Sequence, residues 1–108
     1  MKGFGAGGLQ QLMKQANQMQ IKMKKTQDEL ASREFTGTSG GGAITVTVTG
    51  AMQVNLVKIN PEVISSGDAE MLQDLLLTAT NEALKTAKET TDAEMAKITG
   101  GMGMPGMF

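Results

Sequence analysis

The stretch from Gly37 to Pro61, GTSGGGAITVTVTGAMQVNLVKINP, constrains the fold more than any other part of the chain. A glycine cluster, an alternating run and a closing proline together read as a β-hairpin. Ile44, Val46 and Val48 fall on one face of an extended chain and Thr45, Thr47 and Thr49 on the other, the period-2 pattern of a half-buried strand of β-branched residues. Gly50-Ala51 punctuates it. A return strand is expected from about Met52 to Ile59. Its apolar positions Val54, Val57 and Ile59 do not share one phase, so a bulge or register adjustment is expected near Asn55 or Leu56. Pro61 has no N–H to give to a ladder, and pairing stops there.

Helical patterns flank this hairpin. Leu9, Ala16, Met23 and Leu30 recur every seven residues, with Leu12, Met19 and Thr26 three residues after the first three of them, which is an a/d seam. The segment from about Gly8 to Ser32 is rich in Gln, Lys, Met, Leu and Ala and lacks internal glycine or proline. At 1.5 Å per residue it would run roughly 37 Å, longer than a small domain needs for its own core, so part of it is expected to project or to pair with another helix. Residues 33–38, REFTGT, turn β-like and supply a first strand, so three short strands follow the first helix. Beyond Pro61, Asp68 is an expected N-cap, with Glu70 in the first turn favoured by the helix dipole. A stripe of Leu72, Leu75, Leu76, Ala79, Ala83, Ala87, Thr91, Met95 and Ile98 then continues to Gly100, an expected C-terminal stop. Its small alanine centre permits close approach of a neighbouring element.

Size and composition narrow the function. A chain of 108 residues is a single domain, residues 1–108, and its glycine-rich ends (about 1–7 and 100–108) are expected to be flexible. With only 3% aromatic residues and no disulfide, the core is thin, and a second copy of the chain is expected to complete it. There is no Cys and no His, which excludes thiol chemistry, a Cys/His zinc site, imidazole acid-base catalysis and a Ser-His-Asp triad. The carboxylates show no metal-loop spacing, and Ser39, Ser65 and Ser66 have no evident base. Gly40-Gly41-Gly42 is followed by a strand and by no Gly-Lys-Ser/Thr, so it reads as a turn requiring positive φ and not as a phosphate cradle. The expectation is therefore of no enzyme, cofactor, metal or small-molecule substrate. The longest aliphatic run is Leu75–Leu77, so neither a membrane span nor a signal peptide is expected, and a soluble cytoplasmic protein is the default.

The formal net charge of -1 conceals a polarity. Residues 1–33 carry six basic groups (Lys2, Lys14, Lys22, Lys24, Lys25, Arg33) against Asp28 and Glu29, whereas residues 62–98 carry eight acids against Lys85, Lys88 and Lys97. Such asymmetry implies one cationic surface on an otherwise acidic protein.

The order LMKQANQMQIKMKKTQDEL, GTSGGGAITVTVTG, VKINPEVI, EMLQDLLLTATNEALKTAKE, MAKITGGMGMPGMF resembles the YbaB/EbfC family of bacterial nucleoid-associated proteins over nearly the whole chain. The resemblance implies an α+β, α-β-β-β-α protomer, a tweezer-like homodimer, and binding of double-stranded DNA in the cytoplasm with a nucleoid-organising role. Carried onto this chain, it makes Lys14, Lys22, Lys24 and Lys25 of the first helix the expected DNA-binding residues, with Lys85 and Lys88 of the second as weaker candidates. The chain departs from the family pattern in placing Ile21 among the basic residues and in its acidic second helix.

At 100° per residue Lys14, Lys25 and Lys22 fall within roughly 80° of arc, approximately opposite the seam. One helix can thus pack and present positive charge at once, and phosphate contacts need no base-specific geometry. Read without the family, the same face is a solvated coiled-coil surface. A third reading pairs the basic first helix with the acidic second, through exposed ion pairs worth only about 0–1 kcal/mol each. For the dimer interface the expected residues are Leu12, Ala16, Met19 and Met23 of the seam and Ile44, Val46 and Val48 of the hairpin. A protein-interaction or chaperone-like dimer, using the Met/Leu seam without binding DNA, is the competing function. Among the ten methionines, Met102, Met104 and Met107 lie in a tail that either stays disordered or docks on a partner.

Overall fold

The computed structural model describes residues 6–99. Elements follow in the order α1 (Ala6–Ser32), β1 (Glu34–Ser39), one 3₁₀ turn (Gly40–Gly42), β2 (Ile44–Thr49), β3 (Val54–Ile59), α2 (Pro61–Ser65) and α3 (Ala69–Thr99). The three strands form one antiparallel sheet in the order β1-β2-β3. The expectations for residues 1–5, the stop at Gly100 and the tail lie outside the described residues; residues 6–7, expected in the N-terminal end, open α1.

Local chemistry accounts for the punctuation. All three glycines of the 3₁₀ turn take positive φ (61°, 66° and 94°), the conformation that a side chain disfavours and glycine permits. Asp68 caps α3, its Oδ1 accepting from the Met71 N–H at 3.0 Å. The hairpin bulge is at Asn55: Leu56 pairs with Thr47 and Val54 with Val48, which leaves Asn55 as the extra residue. Its Nδ2 donates to Glu34 Oε2 at 2.7 Å. In the connection before β3 it is Met52, not a glycine, that takes positive φ (64°). The short α2 is a finding that the sequence reading lacked, although its signal was present. Asn60 accepts from the Glu62 N–H at 2.9 Å, and Pro61 takes the first helical position, where a missing N–H costs nothing.

Packing follows from the register. Phe35, Gly37 and Ser39 of β1 lie opposite Val48, Val46 and Ile44 of β2, so six inward positions form one patch. α3 lies across it with Ala79, Ala83 and Ala87 fully buried. Ser39 Oγ donates to the Leu75 carbonyl at 2.6 Å and ties the end of β1 to the helix. Ile44, Val46 and Val48, expected at a dimer interface, are fully buried in this chain's own core beneath α3. They offer no surface to a partner, because the period-2 face that they define is already covered. α1 packs on α3, and the molecule measures 76 × 25 × 16 Å, an elongated shape set by the two long helices.

Candidate nucleic-acid interface

The four lysines of α1 are all exposed. They sit on a helix because this segment is made of strong helix formers, and they stay in water because its apolar stripe turns the other way. Leu30 is buried, Met19, Met23 and Thr26 are half-buried, and Lys22, Thr26 and Glu29 line a shared groove with Glu94, Lys97 and Ile98 of α3. The seam thus meets α3 over its C-terminal half. Over its N-terminal half Leu12 and Ala16, expected at a dimer interface, are exposed.

The ion pairs sort the lysines. Among the described residues there are three: Lys24–Asp28 at 3.6 Å, Lys88–Asp92 at 3.0 Å and Lys97–Glu94 at 2.9 Å. Each lies within one helix turn of its own chain segment, and none among the described residues crosses from α1 to α3. The Lys97 hydrogen bond, and then its charge, hold the Glu94 carboxyl below its usual range, which marks Lys97 as engaged. Lys14, Lys22 and Lys25 have no ion-pair partner among the described residues. Lys14 stands farthest along the helix from the acids Asp28 and Glu29, whereas Lys22 shares its groove with Glu29 and Glu94. Lys85 and Lys88 are exposed on α3, and Lys88 is already paired.

Ile21 is exposed on the same surface, beside Lys24, Lys25, Asp28 and Glu29. Gln11 and Gln18, also exposed, fall by helical geometry in the arc of Lys14, Lys22 and Lys25. Their amides can donate to phosphate oxygens. Charge counting overlooks them, since the only signal is their spacing from the lysines. What the face offers chemically is ammonium groups without ion-pair partners among the described residues, with amide donors between them and the Glu29 carboxylate in the same arc toward the C-terminal end, and the donors are what a polyanion's oxygens require.

A second exposed feature lies on the sheet. Val54, Leu56 and Val57 are 48%, 47% and 45% exposed although they form the edge strand β3. The bulge at Asn55 puts Val57 and Val54 on the face shared with Val46 and Val48, and Leu56 on the opposite face with Thr47. Apolar groups therefore project from both faces of an edge strand. The out-of-phase pattern of β3 carried that signal in the sequence. Among the described residues no group of three or more Asp, Glu, His or Cys is placed to hold a metal, and no described helix is long and apolar enough to cross a membrane.

These features define an α+β protein with a long basic helix projecting from a small three-stranded sheet. The profile of the YbaB/EbfC DNA-binding family matches residues 5–102, and this chain belongs to that family. It is 50% identical over 105 residues to a nucleoid-associated protein of Clostridium acetobutylicum, covering 97% of this chain and 94% of that one. A nucleoid-associated protein of Clostridium kluyveri is 53% identical over 106 residues, covering 97% and 93%. One from Alkaliphilus metalliredigens is 48% identical over 111 residues, covering 99% and 97%. Among solved structures, a Helicobacter pylori protein shares the fold with a TM-score of 0.60 at 22% identity, over 72% of this chain and 90% of that one.

Proposed function

We propose that this protein binds double-stranded DNA as a homodimer, with low sequence specificity, and acts as an architectural component of the bacterial nucleoid in the cytoplasm. No catalytic role is assigned to it. The observation that carries this reading is the exposed face of α1 on which Lys14, Lys22 and Lys25 stand without ion-pair partners among the described residues, in an otherwise acidic chain. Membership of a DNA-binding family supplies the ligand. Each lysine that neutralises a phosphate releases condensed counterion, so affinity arises without reading base edges. Lysine suits this role, because its ammonium is a point charge on a flexible stem and lacks the planar fork that arginine brings to guanine. Lys24 stands about 100° round the helix from Lys25, outside the arc of Lys14, Lys22 and Lys25, and its exposed pair with Asp28, worth at most about 1 kcal/mol, leaves it able to reach a phosphate. Lys85 and Lys88 are secondary.

The dimer surface in this reading is β3, where Val54, Leu56 and Val57 are exposed. The half-burial of Met19 and Met23 supports this over the seam. A Lys14→Gln, Lys22→Gln, Lys25→Gln variant tests the DNA face. It is expected to keep its mass and helicity and to lose affinity on every duplex alike. The salt slope should shrink by about 0.9 for each phosphate that is no longer neutralised, or about 2.7 per chain. Unchanged affinity and slope in a folded variant would remove α1 as the DNA surface.

A further inference from the structure

The apolar stripe of α1 outlasts the helix that covers it. Arg33 lies within electrostatic reach of Glu94, and Lys22 shares a groove with Lys97 and Ile98, so α1 and α3 run antiparallel. α3 ends at Thr99. α1 then continues past that end by about a dozen residues, roughly 18 Å at 1.5 Å per residue. Over this length the same stripe that packs as Met19, Met23, Thr26 and Leu30 carries on as Ala16, Leu12 and Leu9, with Met13 beside it. Leu9, Leu12 and Met13 are 55%, 51% and 63% exposed.

We infer that residues 100–108, GGMGMPGMF, dock on this stripe of the same chain and cover Leu9, Leu12 and Met13. The tail leaves α3 at the point where cover on α1 gives out. Nine residues reach at most about 30 Å extended, and the stripe from Met19 back to Leu9 spans about 15 Å, so the length suffices with slack. Its chemistry fits. Met102, Met104, Met107 and Phe108 are apolar, no residue of the tail carries a charged side chain, and methionine adapts to an irregular helical surface. Lys14 lies about 200° round the helix from Leu12, so a docked tail leaves the lysine face open. The inference is independent of DNA binding.

The chain has no cysteine, so pairs can be introduced without background. In the full chain, Leu12→Cys with Met104→Cys is expected to cross-link at least tenfold faster than Lys14→Cys with Met104→Cys. In a mixture of isotope-labelled and unlabelled chains the cross-link is expected within single chains. Equal rates for the two pairs, or cross-links only between labelled and unlabelled chains, overturn the inference. Hydrogen exchange gives a second readout. Met102→Asp, Met104→Asp and Met107→Asp together are expected to speed exchange of the Leu9–Ala16 amides at least fivefold and to leave Lys25–Leu30 unchanged. Unchanged exchange at Leu9–Ala16 overturns it as well.

Discussion

Gly37 carries no side chain because α3 leaves no room for one. A Cβ built there would run into the Ala79 carbonyl oxygen and come within 2.5 Å of the Ala83 N, both of them backbone atoms that cannot swing aside. Gly50, just after β2, likewise has no room for a side chain, against the Leu30 carbonyl of α1. Gly37→Ala is therefore expected to cost about 1–3 kcal/mol by over-packing, lowering the melting temperature by roughly 4–8 °C per kcal/mol. Thr38→Ala, on the exposed side of β1, is expected to change it little; equal shifts for the two variants by calorimetry would contradict the packing account. The alanine centre of α3 announced a close approach in the sequence. Which residue it approached was not legible, since Gly37 in REFTGT could as well have been a turn glycine, and only the pairing with Val46 turns it toward α3.

Among the elements, β3 departs most from what its sequence suggested. The strand and its bulge at Asn55 were legible, because a break in period-2 phase has few other meanings. Its exposure was not, because periodicity says which residues share a face and not whether anything covers that face. The same limit bears on Ile44, Val46 and Val48, expected at a dimer interface: they are the more regular stripe, and their regularity reflects burial under α3 of the same chain. With the apolar groups of β3 left outside, Leu56→Asp with Val57→Asp is expected to shift sedimentation from dimer to monomer at micromolar concentration while the helical signal persists. Met19→Glu is expected to lower stability and keep the dimer, since Met19 is half-buried on the side of α1 that meets α3. A dimer that survives the first change and dissociates with the second would return the interface to the seam.

On the scale of the whole molecule, charge polarity becomes shape. Of the α1 lysines, Lys14 lies on the arm that projects past α3 and Lys22 borders a groove with it, while Asp92 and Glu94 of α3 pair with lysines of their own helix, Lys88 and Lys97. The reading in which α1 neutralises α3 finds no ion pair to carry it, since among the described residues none links the two helices. The lysine face itself was legible, because helical spacing alone places Lys14, Lys22 and Lys25 on one side of a strong helix former. The partners of Lys24 and Lys97 were less so, since side-chain choice among neighbours one turn away depends on geometry that spacing leaves open. The central claim is that α1 binds phosphates and not bases, and a titration of duplexes of unrelated sequence at several salt concentrations tests it most directly. The account predicts that affinity falls linearly on logarithmic axes with a slope of about -0.9 per neutralised phosphate, the same for every duplex. Binding that is insensitive to salt, or confined to one sequence, would contradict it.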